Sequence, residues 1–352
     1  MLLSALNPQL STVFAQGSLT PPGPPAPTMK TLDQIEARTP ISSAPFTISV
    51  SGSYYLTTNL TVNGGNAITI ATSGVTLDLN GFTIASTSPS TMDFGIDMHN
   101  GRRNLAILNG FIQGGVTNNG SGVYSGSGFG SGIAYSGPPP QNVRVSGVSV
   151  SGCLYDGISL GLENSTVVES CTVRTVGGTG ISASTIKASV AKDCGGHGIF
   201  GEQMADCRGE STGSGTGLNA KTAQNCYGGS ISGTGLNADT ALNCYGSNSG
   251  SEYGLRAITA QNCYGYSISG YGGLSATTAN SCYGYSGSST GLSATTANSC
   301  YGYSGSGTGL SASMANSCYG FSITGLAGVD ANYGNFCFGS PSVFVITKYN
   351  MP

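Results

Sequence analysis

One motif, TGLNAKTAQNCYG, opens a run that returns six more times between residues 209 and 340, the last time degenerately as AGVDANYGNFCFG. Each unit places an apolar residue after a glycine, at Leu218, Leu236, Leu255, Leu274, Leu292, Leu310 and Val329. A cysteine follows eight residues later, at Cys226, Cys244, Cys263, Cys282, Cys300, Cys318 and Cys337. Units are 18 or 19 residues apart. A fixed period of this size means that each unit buries its apolar face only against its neighbours. The units hold no proline and no helical apolar stripe, but short β-compatible stretches broken by Gly, Ser and Asn. The expected fold is therefore an all-β solenoid forming one elongated domain.

Composition narrows the alternatives. Charged residues supply 8% of the chain and the net charge is −3, against roughly 25% charged in ordinary soluble domains. With no basic run, nucleic acid is not an expected partner. The 57 glycines follow no Gly-X-Y period, which excludes collagen. No apolar stretch approaches the length of a membrane span.

Before the repeats the chain changes character several times. Residues 1–16 read as the remnant of a secretory signal, with Val13 and Ala15 where a peptidase would cut, which predicts a secreted or cell-surface protein with bacterial-type export. Residues 17–40 combine a linker with five prolines and a short helix over 28–38, with Thr28 as N-cap and Met29, Leu32 and Ile35 on one side. Solenoids need a cover for their first rung, and this helix is the candidate cap. Residues 41–208 should form wider coils, 209–340 the short ones, and 341–352 a C-terminal tail.

The wide part contains VTLDLNGFTI (75–84), NLAILNGFI (104–112) and NVRVSGVSV (142–150), joined by x-G-[IL] steps. These stretches resemble right-handed parallel β-helix proteins with the pectin-lyase-like fold, over residues 41–340. The resemblance implies a single-stranded right-handed parallel β-helix. It leaves function open, because that family includes lyases, hydrolases, epimerases, phage spikes and adhesins. Followed backwards, the x-G-[IL] step passes through Leu218, Ile199, Ile181, Ile158, Ile133, Ile96 and Ile68. In chain order its spacings are 28, 37, 25, 23, 18 and 19 residues, so the coil should start wide and narrow. Thirteen such rungs make a rod on the order of 60 Å long. The widest step holds residues 116–140, rich in Gly, Ser and Pro; these read as a surface loop folded over one side, with room for a site beneath it.

Faces can be assigned within a short coil. Leu218, Ala220, Ala223 and Cys226 should point inward. The residue before each cysteine (Ser170, Asp193, Asp206, Asn225, Asn243, Asn262, Ser281, Ser299 and Ser317) should turn the corner. Eleven cysteines then form a column with a step of ~4.8 Å, read as small buried apolar residues or, alternatively, as disulfides between rungs. Without CxxC or a Cys/His cluster, neither a metal nor another cofactor is expected.

If cysteine points in, the next residue points out. Two aromatic columns result: Tyr227, Tyr245, Tyr264, Tyr283, Tyr301, Tyr319 and Phe338 in one, Tyr266, Tyr285, Tyr303 and Phe321 in the other. They read either as stacking that supports the ladder or as a flat surface for glycan or protein contact. Catalysis has fewer candidates. Asp156 and His197 occupy the x of x-G-I two rungs apart, with Asp97 and Arg144 on earlier coils. The GHG at 196–198 is similar to a short polygalacturonase motif, but the paired-Asp and Arg-x-Lys motifs of that family have no counterpart. Three functions stay open: a non-catalytic carbohydrate-binding or adhesive solenoid, a polysaccharide lyase or glycoside hydrolase with its site near residues 97–200, and a self-associating fibre.

Overall fold

The computed structural model describes residues 37–325 and 327–349. The expected signal remnant, most of the linker and the capping helix lie outside the described residues. From Thr39 onward the chain is a parallel β-solenoid of about 16 turns. Thirty-three strands belong to one sheet system whose pairings are all parallel, and no helix occurs among the described residues.

Register follows the x-G-[IL] steps. Phe46 stacks on Ile68, then Ile96, Ile133, Ile158, Ile181 and Ile199 follow in one ladder. The ladder continues through Leu218, Leu236, Leu255, Leu274, Leu292, Leu310 and Val329 to Val343. Turns beyond the thirteen counted from sequence lie at the ends, where the small residue before the apolar one (glycine, or Ala67 before Ile68) is missing: Phe46 follows Pro45 and Val343 follows Ser342. The strand Val343–Tyr349 stacks on Val329–Asn335, so part of the expected tail is a further rung.

The interior is built from small side chains. Leu274, Ala279 and Cys282 are 0–3% exposed, and period-2 alternation sends their neighbours outward. All nine expected corner residues have φ between 50° and 56°. This left-handed conformation suits Asn, Asp and, less readily, Ser. Side chains of that column also bond along the axis: Asn243 donates to Asn225 at 3.2 Å and Asn262 to Asn243 at 3.2 Å.

Glycine in the x-G-[IL] step has a packing cause. A Cβ added to Gly180 would lie 2.5 Å from Gly198 O, 2.6 Å from Ala191 Cβ and 2.8 Å from Cys194 Sγ. Facing strands approach too closely there for any side chain. The same crowding recurs where Gly284 and Gly302 face the backbone of Gly291 and Gly309.

Residues 116–140 do fold over one side, in part as a docked arm. Thr117–Asn118 pairs antiparallel with Tyr124–Ser125, while Ser131–Ala134 joins the main ladder. Val116 and Phe129 are buried. The space beneath is occupied: the Tyr124 hydroxyl donates to Asp193 Oδ1 at 2.8 Å and lies 2.6 Å from Thr212 Oγ1, and Asn118 Nδ2 donates to Asp193 at 2.6 Å. Burial pushes the Asp193 carboxyl up, but donors from Asn118 and Tyr124 outweigh it and hold the group below its ordinary value. The Tyr124 ring lies against Gly195 and its Cβ against Gly177, where an added Cβ would press on it.

Candidate functional site

The aromatic columns arise from the four-residue strands after each cysteine. In Tyr264–Ser267 the pattern is Tyr out, Gly in, Tyr out, Ser in. Exact register then stacks like on like. Tyr227, Tyr245, Tyr264, Tyr283, Tyr301, Tyr319 and Phe338 form one ladder. Tyr266, Tyr285, Tyr303 and Phe321 form the second.

Ring geometry qualifies the expected flat surface. Tyr283 and Tyr301 are 4.8 Å apart and 6° from parallel, and Tyr285 and Tyr303 are 5.0 Å apart and 7° from parallel. Rings this close cannot lie coplanar on the sheet, so they overlap like shingles. Faces are spent on one another, while edges and phenol hydroxyls meet solvent. Most rings are consequently half-buried; only near the C-terminal end does exposure rise, to 40% at Tyr319 and 53% at Phe338. Burial, followed by the neighbouring phenols, pushes the Tyr264 hydroxyl up to about 12 and raises Tyr283 in the same direction. The Tyr264 and Tyr283 hydroxyls therefore remain donors at neutral pH.

Behind the tyrosines lies the thiol column. All eleven cysteines are buried and unbridged. Most of the thiols find a backbone acceptor; Cys263 donates to Gln261 O at 3.2 Å and to Ala241 O at 3.4 Å. Burial pushes Cys153 up to about 12 and raises Cys194 as well. Such thiols act as small core residues rather than nucleophiles. Among the described residues, no group of three or more His, Cys, Asp or Glu side chains could hold a metal ion.

A second inner column was not foreseen. Ser230, Asn248, Ser267, Ser286, Ser304 and Ser322 are buried at the ends of these strands. Ser322 Oγ donates to Gly307 O at 2.6 Å and accepts from Gly325 N at 2.9 Å, fastening the corner. Its signal was in the sequence: the fourth position of YGYS is always small and polar in these strands.

The four catalytic candidates do not converge. Asp156 Oδ1 accepts the Thr179 N–H at 2.8 Å, and His197 Nδ1 accepts the Thr216 N–H at 3.0 Å. Each thus caps the corner of the following turn, and the His197 ring stacks on Phe200 at 5.4 Å. Burial raises the Asp156 carboxyl. Asp97 is 3% exposed and accepts from Asn66 at 3.1 Å and from Ser136 N at 3.0 Å. Ser136 Oγ sits between Asp97 Oδ2, at 2.9 Å, and His99 Nδ1, at 2.7 Å. In a nucleophilic relay the imidazole occupies that middle position. Arg144 pairs with Glu169 at 3.5 Å on the surface.

At the upstream end of the aromatic ladders, Arg208 lies over the Tyr227 ring, 4.6 Å from its centroid. Its Nε donates to Glu210 Oε1 at 2.6 Å. Nothing in the repeat pattern singled out this pair. No protein-family model, curated protein or solved structure matches the chain.

Proposed function

We propose that this chain is a secreted or surface-exposed, non-catalytic β-solenoid, of the right-handed pectin-lyase-like kind with coils that narrow along the chain, that binds polysaccharide along its tyrosine ladders and serves an adhesive or structural role. The observation that carries this reading is the double column of stacked rings. It offers one row of edge hydroxyls per ladder, repeated at every turn. A polymer with its own regular hydroxyls can engage several rungs at once, and weak contacts multiply. The charge-poor surface favours a neutral partner over a polyanion. Against an enzyme stand the separate corner-capping contacts of Asp156 and His197.

The test is retention on a panel of insoluble and soluble polysaccharides, with reducing-end and unsaturated-product release measured alongside. Replacing Tyr285 and Tyr303 together by alanine should lower retention at least tenfold with no product formed by either protein. Equal retention by the double variant would remove the strip from the argument, and product release would restore the lyase or hydrolase reading.

A further inference from the structure

Resting on that reading, we infer that the upstream end of the strip is a discrete saccharide subsite, where one neutral sugar ring takes the place of a missing tyrosine. The second outer ladder runs Glu210, Gly229, Ser247, Tyr266, Tyr285. Two successive turns therefore lack a ring. They leave a trough of about 280 Å³ lined by Glu210, Ser211, Tyr227, Gly229 and Ser247, among others. Its volume falls below the ~300 Å³ at which pockets begin to take drug-sized molecules, so it suits a single ring.

Three features equip this trough for a hydroxylated ring. First, Tyr266 stacks on Tyr285 at 4.9 Å on one side, but its upstream register partner is Ser247, so that ring face has no aromatic cover. Like the downstream face of Phe321, which meets Ser340, it is a place in the second ladder where a face rather than an edge is offered, and the C–H side of a sugar needs a face. Second, the ladder carries only Gly229 and Ser247 across these two turns, so nothing longer than a serine side chain stands between the trough and the uncovered face of Tyr266. Third, Arg208 and Lys192 both address Glu210 Oε1, at 2.6 Å and 3.9 Å, leaving Oε2 to accept a hydroxyl.

Arg208 and Glu210 are the only charged residues on the two outer ladders from that turn to Phe338 and Ser340. The guanidinium is held over Tyr227 by its own carboxylate partner. Downstream, where the rest of a polymer would lie, the ladders carry no cation to pair with a uronate, which commits the subsite to a neutral sugar.

The experiment titrates the full chain calorimetrically with cellohexaose, mannohexaose and hexagalacturonic acid. Ser247→Tyr refills the trough with a ring in a geometry that the next turn already holds, as Tyr264 beside Tyr266 at 6.4 Å. Glu210→Gln keeps the shape and removes the carboxylate. At least one neutral hexaose should bind, and each substitution should weaken it tenfold or more, with far-UV circular dichroism unchanged. Unaltered or tighter binding by both variants would overturn the subsite while leaving the strip standing, provided the Tyr285/Tyr303 double variant still loses retention. Preference for hexagalacturonic acid would overturn the neutral assignment. Binding of none of the three by the unsubstituted chain would overturn the subsite, and failure on the polysaccharide panel as well would take the strip reading with it.

Discussion

Substituting Gly180 by alanine isolates the physical factor that sets this coil's cross-section. The new methyl would stand 2.5 Å from Gly198 O, 2.6 Å from Ala191 Cβ and 2.8 Å from Cys194 Sγ. Non-bonded carbons rest at ~3.5–4.0 Å, so the overlap with Ala191 alone is about 1 Å. Relief would require the facing strands to separate. Their ladders oppose it: Gly180 N donates to His197 O at 2.9 Å, and Ile181 N to Gly198 O at 3.1 Å. Overpacking costs about 1–3 kcal/mol, and three simultaneous overlaps, one with a carbonyl oxygen, place this site near the upper end, about 3 kcal/mol. Guanidinium unfolding followed by circular dichroism measures the loss, with exposed Thr172→Ala as a control expected within about 0.5 kcal/mol of the parent. Adding Ala191→Gly removes one of the overlaps, so the double-mutant cycle should show about 1 kcal/mol of favourable coupling. A Gly180→Ala protein as stable as the control, or a cycle with no coupling, would refute the close-approach account of these glycines.

Two further outcomes follow from the contacts described. Tyr124→Phe keeps the ring on Gly195 but removes the bonds to Asp193 and Thr212. The arm should loosen by about 1–2 kcal/mol, seen as faster proteolysis within residues 117–125 and an upward-shifted Asp193 titration by NMR; unchanged values would disprove the anchoring role. The Cys153 thiol predicts an alkaline weakness. Cys153 is raised from 9.0 to about 12 by burial, so both states hold its proton below pH 9. Between those values the unfolded state alone loses it, and stability should fall by about 1.4 kcal/mol per pH unit from this one group. Denaturation curves across that window check the slope, which Cys153→Ala should reduce.

Much of the fold was legible because the repeat states it at short range. Alternation with period 2 separated Cys282 from Tyr283 without any knowledge of the tertiary structure, and residues such as Asn243 and Ser299 announced their left-handed corners. The terminal turns at Phe46 and Val343 were missed because their apolar residue follows Pro45 or Ser342 rather than the glycine or alanine that precedes it in the other turns. What holds the arm down was missed for a different reason. Its anchoring contacts join Tyr124 to residues 69 and 88 positions away, and no local pattern encodes a partner at that distance.

For the site itself, the sequence alone determined that tyrosines recur once per turn and face outward, since side-chain direction in a strand follows from position. Only the tertiary structure decided what those tyrosines present. Ring orientation depends on the neighbour one turn away. At 4.8 Å between Tyr283 and Tyr301 the faces close on each other and the edges remain. It likewise decided that Asp156 and His197 cap corners, because the N–H groups they accept belong to the following turn. Inward and outward are properties of one strand; which atoms a solenoid offers to a partner is settled by the stacking of turns upon one another.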